Sequence, residues 1–188
     1  MNKSAVVFSQ KTLVFLQEEQ KKLDTFIHQQ NKLEMKDTFF LRKIALFVEI
    51  GEAANELKTF KYWKKDKKVD LKKVQVELID CLHFFLSLTN SAKVNFVGYR
   101  FQKFLSKKEF ALNNLLLNLF ERTKKLNLPR PRKIKGKINK TEKNYQDWLR
   151  TFEKLCWQAK LDEKKLLDVY KQKNKINQKR QLENLINI

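Results

Sequence analysis

Four acids set in two pairs carry the most specific chemistry in this sequence: Glu49 with Glu52, and Glu77 with Asp80. Each pair has i, i+3 spacing inside an apolar helical run, IALFVEIGEAANEL and VQVELIDCLHFFLSL, so both carboxylates of a pair share one helix face. The lysine-rich stretch Lys64–Asp70 lies between the runs, which are therefore expected to fold as an antiparallel helix hairpin. If the two faces meet, the four carboxylates converge at the seam. Anions that close repel, and burial is tolerated only with compensating cations. Hard oxygen ligands without clustered Cys or His point to Mg²⁺, with Mn²⁺ as an alternative. The competing reading is plain surface charge, since acids at this spacing are common on exposed helices. Two features favour a metal seam: the apolar surroundings, and a local concentration of acids in a chain with 21 acids against 41 bases.

A second constellation lies near the C-terminus. Lys173, Asn177 and Arg180 stand at i, i+4 and i+7, on one helix face. Two cations flanking an amide can hold phosphate oxygens, Arg in bidentate fashion; an exposed helix face is the alternative. With the acids, the set implies a phosphate substrate bound through a divalent metal, and a carboxylate that activates water for in-line attack. The sequence has no Gly-rich phosphate loop, no GK[ST] and no Ser or Cys nucleophile with a partner His, which favours direct hydrolysis over a covalent intermediate.

The elements that must position these groups read as helices. An apolar stripe through Val7, Leu13, Leu16, Leu23 and Ile27 predicts a helix over 5–30, with Gln17, Gln20, Asp24 and His28 beside it as a solvated face. Asp37 or Thr38 caps a second helix running to about Lys64, and Asp70 caps a third to about Thr89. Gly51 sits in mid-helix, where its cost suggests close approach of another helix or a ligand. Residues 90–107 are irregular, with a break at Gly98, and a fourth helix covers about 108–126. LPRPRKIKGKINK, at 128–140, is a basic loop with two Pro, one Gly and six cations, either a solvated linker or a phosphate-attracting segment. A fifth helix starts at Thr141 or Asn144, and Asp162 caps a sixth.

With 188 residues, 15 Phe, three Gly and two Pro, the chain is expected to be one all-α domain spanning 1–188: a bundle of about six helices around the central antiparallel metal-binding hairpin. The net charge of +20 would suit a nucleic-acid partner. Yet 34 of the cations are Lys, scattered along the chain beside abundant Asn, as the codon bias of an AT-rich genome would produce. Cys81 and Cys156 match no metal spacing, and with no signal-peptide pattern and no run able to span a bilayer, a reduced, cytoplasmic setting is expected.

Four stretches together resemble the dimeric all-α dUTPases, within the all-α nucleoside-triphosphate pyrophosphatase superfamily that includes MazG-like enzymes. EIGEAANELKTFKYW is similar to the family's first metal motif with its Phe-Lys-x-Trp segment. VELIDCLHFFLSL is similar to the second metal motif, QKKLD to an N-terminal Gln-x-x-Leu-Asp/Asn element, and YKQKNKINQKRQ to the C-terminal Tyr-x-x-Lys-Asn-x-x-Asn-x-x-Arg-Gln motif. Where the family usually adds Gly-Tyr a few residues later, this sequence reads LENLINI. The resemblance implies a homodimeric dUTP diphosphatase that converts dUTP, and often dUDP, to dUMP and limits uracil in DNA, with no need of nucleic acid or membrane. It implies Mg²⁺ on Glu49, Glu52, Glu77 and Asp80, with Glu49 activating water. Gln20 would help to read uracil, Lys61, Trp63 and His83 would line the pocket around base, sugar and phosphates, and Lys173, Asn177 and Arg180 would hold the phosphate chain. The alternatives are a related pyrophosphatase preferring dCTP or a modified nucleotide, and a basic helical nucleic-acid-binding protein.

Overall fold

The structure, a computed structural model, describes residues 4–66, 68–105, 109–129 and 140–186. Among them the chain is all-α apart from a small two-stranded ribbon. The helices are α1 (Gln10–Gln30), α2 (Phe39–Leu57), α3 (Leu71–Ser91), α4 (Leu112–Lys125), α5 (Lys140–Gln158) and α6 (Glu163–Ile186). The ribbon pairs β1 (Ser4–Val6) antiparallel to β2 (Lys103–Leu105), with Ala5 opposite Phe104.

The first helix begins later than the apolar stripe suggests. Ser9 ends the extended N-terminal segment and caps α1, its hydroxyl accepting from the Thr12 amide at 3.2 Å. Val7 and Phe8, assigned to the helix by their spacing, are buried in the extended stretch instead. The second helix ends at Leu57, short of Lys64, because Lys58 adopts a left-handed conformation (φ 57°) and returns its N–H to the Ala54 carbonyl. Thr38 does cap α2 by position, but its hydroxyl serves other partners and makes no side-chain cap. Asp70 caps α3 by accepting from the amides of Lys72 and Lys73, and Asp162 accepts from the Lys165 amide at the start of α6.

Helix α3 is buried on nearly every side, with Val74, Leu78, Ile79, Leu82, Phe85, Leu86 and Leu88 all in the core. Such a helix belongs at the centre of a bundle, and α1, α2, α5 and α6 all pack on it. An aromatic cluster joins Phe85, stacked on Trp148 at 3.9 Å, to Phe152 and Tyr145 of α5; the Trp148 indole N–H donates to Thr123 of α4. Between α2 and α3 the hairpin is antiparallel: Arg42 near the start of α2 meets Ser87 near the end of α3, while Glu52 meets Glu77 at the opposite end.

Gly51 does not mark a close helix approach, since a Cβ built there would meet nothing within 4 Å. It lines an apolar groove of about 500 Å³ between α2 and α4, with Phe60, Leu116 and Phe120. Gly98 is the expected break, at φ 78°. Residues 130–139 of the basic Pro-containing loop lie outside the described residues. Cys81 and Cys156 are both free and buried. Among the described residues no helix is long and apolar enough to cross a membrane.

Candidate active site

The hairpin brings three of its four acids to one point. Carboxylate oxygens of Glu49, Glu52 and Glu77 lie within 4.8 Å of one another. Burial pushes the Glu49 carboxyl up to about 7, and repulsion from Asp80, Glu52 and Glu77 adds to it. Glu77 and Asp80 are also raised, again by burial first. Asp80 stands apart from the triad: its Oδ2 holds the Lys173 ammonium at 2.5 Å, an ion pair joining α3 to α6. The donor set is all oxygen, hard, half-buried and short of positive charge, which suits a divalent cation of the Mg²⁺ class.

A cavity of about 440 Å³ opens beside the acids, walled by α1, the turn after it, α2, α3 and α6. Its volume is in the range of small-molecule sites, typically about 300–1,000 Å³. Gln20, Glu49, Asp80, His83, Lys173, Asn177 and Arg180 all line it, so residues far apart in sequence share one space. Glu52 and Glu77 adjoin it through Glu49. Lys61 and Trp63 do not line it. They stand on the turn beyond α2, Lys61 over the Phe60 ring and Trp63 packed edge-on against Phe60 and Tyr62.

Along α1, the face of Gln17, Gln20, Asp24 and His28 is not solvated: the last three are buried. Gln17 donates to Thr89 and to the Val94 carbonyl. Gln20 is the hub of a chain, its Oε1 accepting from His83 Nδ1 (2.7 Å) and the Tyr170 hydroxyl (3.2 Å) while its Nε2 donates to Asp24 Oδ1 (2.8 Å). The His83 ring stacks on Tyr170 at 4.3 Å, and burial, with the nearby Lys173 charge, pushes its pKa down to about 3. His83 is therefore neutral. Because Gln20 Oε1 can only accept, the proton sits on Nδ1 and Nε2 is a bare acceptor. That Nε2 and Asp24 Oδ2 are buried and make no hydrogen bond, in residues that both line the cavity; burial raises the Asp24 carboxyl's pKa, and the neighbouring Ser87 hydroxyl works against that rise.

Arg42 braces this end. Its guanidinium is buried and donates to Thr38, to the Ser87 hydroxyl and carbonyl, and to the Met35 carbonyl. The turn carrying Leu33 is thereby fixed to α3, with Leu23, Ile27, Leu41 and Phe84 as apolar walls. Arg42 carries no signal in the sequence; Phe84 and Ser87 fall inside the VELIDCLHFFLSL stretch, and Asp24 and Tyr170 inside QKKLD and YKQKN, but nothing in those stretches assigns any of the four a role.

The pieces in contact make a chemical whole: an acid cluster able to hold a cation, three groups from α6 facing it, and a buried slot with a few free hydrogen-bonding atoms. The family model described as dUTPase matches residues 12–185. The chain belongs to the dUTPase family. Membership makes it a hydrolase of the dUTP diphosphatase class, and the match runs from the capped start of α1 to the last turn of α6, spanning every wall of the cavity. Comparison with curated proteins finds no match.

Proposed function

We propose that the chain, as a single domain over residues 1–188, hydrolyses dUTP and dUDP to dUMP with Mg²⁺, as a homodimer in the cytoplasm and without need of nucleic acid. The observation that carries this reading is the continuity of one cavity from the Glu49 cluster to the Gln20–Asp24–His83 end. Arg42 and Glu49 are seven residues apart on α2, about 10 Å along the axis at the usual helical rise, which suits a nucleoside with its phosphates.

At the buried end, Gln20 retains one N–H after donating to Asp24, and Asp24 Oδ2 is a free acceptor. A donor beside an acceptor complements a uracil carbonyl beside its N3–H. Cytosine presents an unprotonated N3 to the same carboxylate, leaving two acceptors face to face. His83 Nε2, also an acceptor, suits a sugar hydroxyl. Glu49, Glu52, Glu77 and Asp80 would hold Mg²⁺, which would supply positive charge against the negative charge that develops on the phosphate chain. Glu49 orients the attacking water and takes its proton, being the one of the three converging acids that also lines the cavity. Lys173, Asn177 and Arg180 hold the phosphate chain from α6. Lys61 and Trp63 lie beyond the acid end of α2, which favours a role near the far end of the triphosphate over one around the base.

The homodimer rests on an uncovered face. Phe40, Ile44 and Val48 recur every four residues along α2 and are 65%, 60% and 52% exposed. Leu41, which lines the cavity, is exposed on the same helix, so a second copy seated there would cover the cavity mouth. A monomer in sedimentation at micromolar concentration would remove this element. The activity is tested by a hydrolysis panel of dUTP, dUDP, dCTP, dTTP and UTP with Mg²⁺, Mn²⁺ or neither. Selective release of dUMP is expected. Comparable turnover of dCTP would move the chain to another base preference, and steep salt-dependent DNA binding with no hydrolysis would overturn the reading.

A further inference from the structure

The acid cluster contains an asymmetry that the metal reading alone does not explain. Three carboxylates converge within 4.8 Å, but Asp80 is paired with Lys173 at 2.5 Å, with side-chain exposures of 11% and 17%. Among the described residues no other ion pair reaches any of the four acids. The helix carrying the ammonium is well anchored just before this point, where Tyr170 stacks on His83 and donates to Gln20 and to the Leu16 carbonyl. Beyond it, Lys175, Ile176, Lys179 and Arg180 are exposed, and among the described residues only Asn174 is buried. Lys173 thus projects from the last well-packed turn of α6, at a fixed base but on a long flexible stem.

We propose that Lys173 is a tethered counter-ion that holds Asp80 while the metal is absent, and that metal binding displaces it toward the phosphate chain. The proposal rests on the metal-site reading above and adds an order of events to it. One ammonium pairs with one carboxylate and only partly offsets the three converging acids, so the site retains its attraction for a divalent cation. For Asp80 to become a ligand its oxygen must exchange the ammonium for the metal. The released Nζ stays within reach of the same space, because Lys173 and Asp80 line one cavity. Metal occupancy and the availability of Lys173 for phosphate are then two sides of one exchange, and by linkage each favours the other.

The exchange predicts an effect opposite in sign to that of an ordinary binding residue. Without nucleotide, Lys173→Met should bind Mn²⁺ or Mg²⁺ about tenfold more tightly than the wild type, because the competing cation is gone. Affinity for a non-hydrolysable dUTP analogue in the presence of metal should fall. In thermal unfolding, Lys173→Met should lower Tm in chelator and have a much smaller effect in saturating Mg²⁺, when the pair is already broken. Lys175→Met, two residues on and exposed, is the control for general loss of charge and should change metal affinity less than twofold. Calorimetric titration and Mn²⁺ EPR give the affinities, and circular dichroism shows that the variants fold. Equal or weaker metal binding by Lys173→Met overturns the proposal, as does an equal gain in Lys175→Met. If the wild type hydrolyses dUTP with Mg²⁺ while Lys173→Met leaves metal affinity unchanged, the counter-ion role fails and the activity stands. If no variant binds metal, both fall.

Discussion

At the α1 end of the cavity, buried polar groups form a closed chain with a few free atoms; at the acid end, three carboxylates crowd together beside a fourth, Asp80, that is paired with an ammonium. The first region is built to be the same with or without a ligand. Gln20 is locked by Asp24, His83 and Tyr170, and Arg42 ties the neighbouring turn to α3, so the recognition geometry exists before anything binds. The second region is held in a state that a cation would relieve, shown by the Glu49 carboxyl at about 7. On the proposed function, a pre-organised pocket beside an electrostatically unsatisfied centre separates selection from reaction, with hydrogen bonds choosing the base and charge assembling the reacting end.

The sharpest way to break this comparison is at Glu49. Glu49→Gln should lower kcat by about 10³-fold, in the range expected for loss of a general base. Its metal-free Tm should hold or rise, because one anion leaves a repelling set. Rapid-quench assays with matched unfolding curves check both halves. Activity above a tenth of wild type would take the base role away from Glu49.

At the recognition end the expected loss is smaller and differently distributed. Asp24→Ala should reduce kcat/KM for dUTP by about 10–100-fold, the scale of one hydrogen bond to a charged group. dCTP should lose much less, so discrimination narrows. Equal losses on both substrates would mean that Asp24 supports the pocket without reading the base.

Legibility in sequence divides along the same line. The acid pairs are readable because a shared helix face imposes a local i, i+3 spacing, and the Asp70 cap because capping is local too. The Gln17–His28 face was misread as solvated because what covers it arrives from afar: the Gln20–Tyr170 bond spans 150 residues. No periodicity within α1 reports that. The ribbon escaped for a similar reason, as three residues pair with three others about a hundred positions away. Lys58 stopped α2 with a left-handed turn in a residue that carries no such preference. Arg42 is invisible as a brace because its distant partners, the Met35 carbonyl and the carbonyl and hydroxyl of Ser87 on another helix, come within reach only after folding.

Titration probes the acid end as a whole. Glu49, Glu77 and Asp80 are all raised by burial and mutual repulsion, so each binds its proton more tightly folded than unfolded. The folded state then binds more protons than the unfolded one over this range, and metal-free stability falls as pH rises from about 4.5 to about 7. For Glu49 the full linkage would exceed 3 kcal/mol, but the side chain is only half-buried, and about 1–2 kcal/mol is expected after solvent screening. Denaturant melts at pH 5, 6, 7 and 8 in chelator should show that decline, and saturating Mg²⁺ should flatten it. A decline that persists in Mg²⁺ would place its origin outside the cluster, for instance at Asp24 or Glu153, which burial also raises.

The smallest effect concerns the backbone between the two acids of α2. Gly51 lies in the helix interior, and a Cβ there meets nothing within 4 Å. Gly51→Ala should therefore stabilise the fold by about 0.5–1 kcal/mol, through reduced freedom of the unfolded chain and better helix propensity. Because the open space belongs to the groove beside Phe60 and Phe120, the same substitution also asks whether that groove is filled in solution. A gain in denaturant midpoint with unchanged kcat would show that the acid end works on a stiffer helix, and that its special character lies in charge alone. A loss of stability would mean that something occupies the groove against α2, and that the glycine is there to admit it.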